Sequence, residues 1–300
     1  MNEKKKRPES IVYIDGKYLP EARAKISVFD HIVLYGDGVY DTCCAWAGKV
    51  FKLDRHIDRF FESAKAVAIN IPLDPAALRD VVLATVRKNG LRDAYIKMIV
   101  TRGVGEKPLL SPYHCRPSLI VFAKPFLRLS GGEEFNKGIT VKTSCLRKIP
   151  AECWDPRIKA SNYLNHVLMR YEANEAGADD ALELGTDGYV AEAPGYNVFV
   201  IKKGTLYTPR ENILMGITRE TILELAAERD IPVVEARITL FDFYTADEAF
   251  FCSTACGIFP VVRVDGHTVG DGRAGTLTRR FNDAYWELLE SGKQSTEVWT

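Results

Sequence analysis

No stretch of about 18 apolar residues occurs in the chain, so it offers no candidate membrane-spanning helix. Nor is there a surplus of either charge: 40 Lys and Arg balance 40 Asp and Glu. A neutral chain without a basic stripe suits neither nucleic acid nor an acidic membrane surface. Met1 to Glu9 carries Lys4-Lys5-Lys6-Arg7 but no apolar centre, and reads as a frayed, solvated tail and not a signal peptide. There is no internal repeat and no low-complexity tract. The seven cysteines lack metal-ligand spacing, so no metal is expected, and Cys43-Cys44 and Cys252/Cys256 read as small core residues. An odd number of cysteines without a secretion signal points to reduced thiols and a cytoplasmic location.

What is present is the composition of a globular protein, 46% hydrophobic and 27% charged, in 300 residues. That length predicts two domains or one elaborate one. The first half reads as α+β. Ile11–Ile14 and Lys17–Pro20 form a hairpin about Asp15-Gly16. In Leu34-Tyr35-Gly36-Asp37-Gly38-Val39-Tyr40, two glycines two apart permit a close backbone approach. That stretch is either a turn before a strand or a pocket wall carrying Tyr35 and Tyr40. A second hairpin follows about Gly48-Lys49, then a helix with Asp54 as candidate cap and Arg55 in its first turn. A cation there opposes the helix dipole and hints at an anionic partner. A helix over Pro75–Asn89 and strands at Ala94–Thr101 and Ser118–Ala123 complete residues 1–125. Residues 126–138, with Gly131-Gly132, lose periodicity and read as an interdomain loop before a second domain, 139–300.

In that second half Lys159 lies between a strand, Ile139–Cys145, and a helix with Leu164, Val167, Leu168 and Tyr171 at helical spacing. Ser161 or Asn162 is the candidate cap of that helix and Gly177 its end. Hairpins follow at Asp187-Gly188, read as a type I′ turn, and at Lys203-Gly204. A helix from Thr218 to Arg229, a strand at Val233–Arg237, a helical patch at 240–246, a strand at Glu248–Ser253 and a last helix over Leu277–Leu289 complete it.

Three segments carry chemistry besides Lys159. Glu192 lies in an otherwise apolar strand, where a carboxylate needs either solvent or a cationic partner; a protonated ring nitrogen is one such partner. Gly216-Ile217-Thr218 opens a helix whose free N–H groups suit a phosphate, or is an ordinary threonine cap. Ser253-Thr254-Ala255 offers hydroxyls and N–H groups at a strand end. Gly270-Asp271-Gly272-Arg273-Ala274-Gly275 matches Gly-x-Gly-x-x-Gly but lacks the βαβ context of a dinucleotide site. A lysine, a carboxylate needing a cation, a tyrosine and two phosphate cradles are the set that a pyridoxal 5'-phosphate enzyme needs.

On these segments, together with Tyr35-to-Tyr40, Arg55-His56-Ile57 and Lys159-Ala160-Ser161-Asn162-Tyr163, the chain resembles the class IV aminotransferases of pyridoxal phosphate fold type IV. The resemblance covers nearly its whole length. It implies a small α+β N-terminal domain and a larger C-terminal domain with a barrel-like sheet. It implies that Lys159 carries the cofactor as a Schiff base and moves the proton at the donor carbon. Tyr163 would bond the phenolic oxygen and Glu192 the ring nitrogen, and Leu214 would pack on the ring. Arg55, Gly216, Ile217, Thr218, Ser253 and Thr254 would form the phosphate cup, with Asn197 completing the cofactor set. Tyr35, Tyr40, Tyr95, Thr254 and Ala255 would face the substrate. Family members are usually homodimers with a shared active site.

The pattern departs from the branched-chain branch at Pro194, and at Lys97, where that branch favours arginine in Tyr-x-Arg. Glu192-Ala193-Pro194-Gly195-Tyr196-Asn197 and Val100-Thr101-Arg102-Gly103 resemble the (R)-amine transaminases. Gly105-Glu106-Lys107-Pro108 lacks the Arg-x-His clamp of D-amino acid transaminases, and Thr42 is shared with aminodeoxychorismate lyases. The expectation is transfer of an amino group from an apolar amino acid or (R)-amine to pyruvate or 2-oxoglutarate. D-amino acid transamination and lyase-type β-elimination stand as alternatives.

Overall fold

The computed structural model describes residues 9–107, 109–126 and 132–299. Most of the basic tail, and the stretch 127–131 of the expected interdomain loop, lie outside them. The chain forms two compact units: Met1–Phe126 with Lys159–Asn162 and Gln294–Thr300, and Leu127–Ile158 with Tyr163–Lys293.

The first unit is built on an antiparallel sheet. Its elements are β1 (Ile11–Ile14), β2 (Lys17–Pro20), α1 (His31–Tyr35), β3 (Gly38–Trp46), β4 (Lys49–Phe51), α2 (Leu53–Ala66), α3 (Pro75–Lys88), β5 (Ala94–Val104) and β6 (Arg116–Pro125). The sheet runs β4-β3-β5-β6-β1-β2, with the C-terminal strand Ser295–Glu297 beside β4. Strand alternation sorts its faces. Val39, Asp41 and Cys43 pair with Val100, Met98 and Ile96 on one buried face, and Tyr40, Thr42 and Cys44 pair with Ile99, Lys97 and Tyr95 on the other. α2 buries Leu53, His56, Ile57, Phe60, Ser63 and Ala64, spacings that line one helical face. Each such aromatic or aliphatic side chain contributes roughly 1.5–3 kcal/mol by leaving water.

Several local expectations shift. The hairpin turns at Ala47-Gly48, both at positive φ, one residue before the expected Gly48-Lys49. α2 starts at Leu53 with Lys52 before it at φ 45°, so Asp54 is not its cap; it pairs with Arg79 instead. α1 was not legible because five residues carry little periodicity; Asp30 caps it and Gly36, at φ 70°, ends it. β5 continues to Val104 through a bulge at Gly103, past the expected loop start at Arg102.

The second unit comprises α4 (Gly132–Lys137), β7 (Ile139–Arg147), α5 (Leu164–Glu175), β8 (Asp180–Leu184), β9 (Val190–Glu192), β10 (Asn197–Lys202), β11 (Thr205–Pro209), α6 (Ile217–Ala227), β12 (Val233–Ala236), α7 (Leu240–Tyr244), β13 (Glu248–Ser253), β14 (Gly257–Val264), β15 (His267–Thr268) and α8 (Thr276–Ser291). Its mixed sheet runs β12-β11-β10-β13-β14-β7-β8-β9 with β15 on β14. The Val190 N–H donates to the carbonyl of Ile238, just past β12, at 2.7 Å. The sheet's two ends therefore approach each other, and it curls around Val141, Leu182, Val198, Phe243 and Phe251. This is the α+β, half-barrel architecture expected.

Here too the details differ. α4 lies within 126–138, where the sequence predicts a loop. Tyr163, making no capping hydrogen bond, precedes α5 in place of Ser161 or Asn162. The apolar stripe Leu164, Val167, Leu168 and Tyr171 is exposed, while Met169 and Ala173 are buried. Asp187-Gly188 is not a type I′ turn: the Gly188 N–H donates to the Gly185 carbonyl, and only Gly188 has positive φ. α6 begins one residue before Thr218, with Gly216 as N-cap. At the Gly-x-Gly-x-x-Gly sequence, the Leu277 and Thr278 N–H groups donate to the Glu248 carboxylate at 3.0 and 2.7 Å, which occupies the helix start that a phosphate would need.

Candidate functional site

In the first unit, residues 159–161 add to the free edge of β3. The Tyr40 N–H donates to the Lys159 carbonyl at 2.9 Å and the Ser161 N–H to that of Gly38 at 2.9 Å. The Lys159 N–H donates to Ser63 Oγ on α2 at 3.2 Å. These bonds fix the lysine backbone, and its Nζ stands 4.7 Å from the centre of the Tyr40 ring. Lys97 Nζ stands 4.1 Å from the same ring. Burial and the charge of Lys159 hold Lys97 below the usual lysine range. The described contacts bring Tyr40, and not Tyr35, to Lys159. Tyr35 stands on α1, edge-on to His31 and 39% exposed. Tyr95 stands two residues from Lys97 on the same face of β5, tilted against Phe122.

Arg55 is exposed in the first turn of α2. Arg59, one turn on, lies on the face shared with His56 and Ser63. Its Nε and Nη2 donate to Asp41 at 2.8 and 2.9 Å, and His56 Nδ1 reaches the same carboxylate at 2.8 Å. Asp41 is fully buried. Burial alone would raise its carboxyl, but Arg59 and His56 together outweigh that and hold it well below the usual carboxylate range. Burial pushes His56 down, against Asp41, so that Nδ1 donates to Asp41 and Nε2 keeps a lone pair. The sequence singled out neither Asp41 nor Arg59.

The second unit holds the carboxylate. Glu192 Oε1 accepts from Asn197 Nδ2 at 2.9 Å and from the Leu214 N–H at 2.6 Å. Asn197 Nδ2 also donates to the Leu214 carbonyl at 2.9 Å. Glu192 Oε2 lies 2.5 Å from Lys148 Nζ, which is buried and 3.7 Å from a second buried carboxylate, Glu183. Burial and the nearby Glu183 push the Glu192 carboxyl up against the pull of Lys148. Burial opposes the charge on Lys148, but the two carboxylates outweigh it and hold its ammonium above the usual range. One lysine shared by two acids explains both directions: two carboxylates face one ammonium. Sequence reasoning flagged Glu192 as needing a cation but missed Lys148, which is 44 residues away and unremarkable in its own segment.

α6 supplies the anion cradle. It is eleven residues long and begins after a glycine, with no capping side chain on its first N–H groups. Thr218 Oγ1 lies 3.3 Å from Thr254 Oγ1, so the second and third sequence segments meet at this helix start. A Cβ on Gly216 would stand 1.9 Å from Asn197 Oδ1, which ties the cradle to the Glu192 support. Ser253 and Ala255, flanking Thr254, are half-buried. Tyr163 packs on His166 with ring centres 4.4 Å apart. These residues fit a phosphate and a protonated ring nitrogen.

The chain matches the model of amino-transferase class IV over residues 38–264. It is similar to the branched-chain-amino-acid aminotransferase of Pseudomonas aeruginosa, with 36% identity over 97% of this chain and 96% of the relative. It is also similar to the D-alanine aminotransferase of Staphylococcus haemolyticus, with 32% identity over 93% and 98%. Among solved structures, the T.th. branched-chain amino acid aminotransferase with pyridoxamine 5'-phosphate superposes with a TM-score of 0.91 at 32% identity, covering 97% of this chain and 99% of that one. With a family model spanning most of its length and a site of matching chemistry, the chain belongs to the class IV aminotransferases.

Proposed function

We propose that the chain is a pyridoxal 5'-phosphate-dependent aminotransferase that moves the amino group of an apolar amino acid to a 2-keto acid. The observation that carries this is Glu192, a buried carboxylate aimed by Asn197 and the Leu214 N–H and bordering an uncapped helix start. Pyridoxal 5'-phosphate supplies an aldehyde that takes up amines and a ring that accepts the electron pair left when a proton leaves the donor carbon. Lys159 would provide the amine for the covalent link and would hold and return the proton of the donor carbon. Glu192 would accept from the ring nitrogen, and Tyr163 would donate to the phenolic oxygen. The Ile217 and Thr218 N–H groups with the Thr218 and Thr254 hydroxyls hold the phosphate. Ser253 and Gly216 shape that cup, and Leu214 packs on the ring. Arg59, on the Ser63 face of α2, is better placed toward Lys159 than the exposed Arg55 to supply a cation.

Tyr40, Tyr95 and Lys97 share one face of the first unit's sheet, and among the described residues Lys97 has no ion-pair partner. We read Lys97 as the cation for the carboxylate of the donor or acceptor, which favours amino acids over simple amines. The similarity to a D-alanine aminotransferase keeps D-amino acids as a second reading, separated by giving single L- and D-donors without acceptor. Residues 1–125 are proposed as the small domain and 139–300 as the large, cofactor-binding one. The two units support this, with Lys159–Asn162 and Gln294–Thr300 joining the first. A homodimer is supported by the exposed stripe on α5 and by exposed Val28, Phe29 and Val33 in the first unit. A cytoplasmic location is in keeping with seven free thiols; among the described residues no helix is long and apolar enough to cross a membrane. The reading is tested with Lys159→Ala, which should neither bind the cofactor covalently nor transaminate; a variant that does either overturns it.

A further inference from the structure

Glu183 and Glu192 stand directly opposite each other in the antiparallel pair β8–β9. Like charges in that position destabilise a sheet, and here both are buried, Glu183 completely. Neither oxygen of Glu183 receives a well-aligned hydrogen bond among the described residues. Its neighbours are Lys148 Nζ at 3.7 Å and His166 Nε2 at 3.1 Å, and the other ring nitrogen of His166 is buried without a partner. Asp180, another acid within electrostatic reach of Glu183, is paired with Arg170. The cluster thus sets two buried carboxyl groups, Glu183 and Glu192, against the one ammonium of Lys148.

The second carboxyl group has a use that Glu192 alone cannot serve. Paired with Lys148 at 2.5 Å, Glu192 is already neutralised, and a neutral pair has little preference for a cationic ring nitrogen over a neutral one. We infer that Glu183 is a positioning residue that keeps the cofactor's ring nitrogen protonated: Lys148 cancels the charge of Glu192, and Glu183, opposite it, restores the one negative charge that a pyridinium answers. The inference rests on the proposed cofactor and on Glu192 as its nitrogen partner. Nothing in the sequence signals it, because Glu183, Lys148 and His166 come from three separate elements.

The test compares the affinity of the full chain for pyridoxal 5'-phosphate and for its carbocyclic analogue, in which C–H replaces the ring nitrogen. Both are aldehydes, so the covalent link to Lys159 drops out of the ratio. Glu183→Gln keeps the shape and removes the charge; Glu183→Asp keeps the charge and loses length. The wild type should prefer the natural cofactor, Glu183→Gln should lose about tenfold or more of that preference, one pKa unit's worth, and Glu183→Asp should retain most of it. The reverse order, with the glutamine variant unchanged and the aspartate variant impaired, shows a packing role and overturns the inference. As a measurement that needs no variant, the nitrogen-15 resonance of ring-labelled cofactor on the wild type should stay at its protonated position from neutral to mildly alkaline pH; an unprotonated signal overturns the inference even if Glu183→Gln does not fold. Failure of the wild type to bind either aldehyde would instead sink the proposed function.

Discussion

At the scale of single residues, the deciding quantity is whether a buried charge has a partner. Lys97, half-buried, has no ion-pair partner among the described residues, stands 4.1 Å from the Tyr40 ring, and is held below its usual range by burial and by Lys159. Lys97→Met should therefore raise KM for donors bearing a carboxylate about tenfold or more, the worth of a charge-assisted hydrogen bond. It should leave a simple amine donor nearly unaffected, and an equal loss with both would remove Lys97 from carboxylate recognition. Asp41 is the opposite case, a buried acid with one cationic neighbour, Arg59, and a hydrogen bond from His56. Its carboxyl is lower in the folded than in the unfolded chain, so its ionisation stabilises the fold fully above about pH 4, the ordinary carboxylate value, and that contribution fades as pH falls toward the folded value. The stability gap between wild type and Asp41→Asn in urea should be widest near neutrality and narrow below about pH 4; a gap that does not change with pH would show that ionisation of Asp41 is not involved.

At the scale of elements, α6 shows how one small residue links two functions. Gly216 begins the helix, and a side chain there would collide with Asn197 Oδ1. Asn197 in turn orients Glu192. Gly216→Ala should cost about 1–3 kcal/mol of stability and weaken cofactor binding as well, read by urea unfolding and by spectral titration with pyridoxal 5'-phosphate. Binding left at the wild-type level would separate the helix start from the carboxylate support. The sequence carried the glycine, the helix and the carboxylate as three separate signals. Their connection runs through Asn197 contacts between a strand and a loop, which no local pattern encodes. Helix periodicity likewise found α5, since the spacing of Leu164, Val167, Leu168 and Tyr171 is a property of the helix itself, but periodicity cannot tell what an apolar face meets, and this one is exposed.

At the scale of the whole molecule, Val167 and Tyr171 in one unit and Val28, Phe29 and Val33 in the other are exposed apolar side chains, of the kind that the proposed homodimer would cover. Light scattering should give the mass of two chains, and Val167→Asp should shift it toward one; a single-chain mass for the wild type would refute the homodimer. The sequence by itself determined the longer helices and many of the strands, though not α1, α4 or β14, together with the neutrality of the chain, the candidate lysine and the need of Glu192 for a cation. Those follow from backbone sterics, side-chain alternation and the cost of burying charge, which act locally. Only the tertiary structure decided that Arg59 pairs with Asp41, that Lys148 and Glu183 stand behind Glu192, and that Glu248 fills the helix start at the glycine-rich sequence. Each of these is a contact of a charged group with a partner distant along the chain. Its energy depends on separation in space and on burial, and neither quantity exists until the sheet has closed.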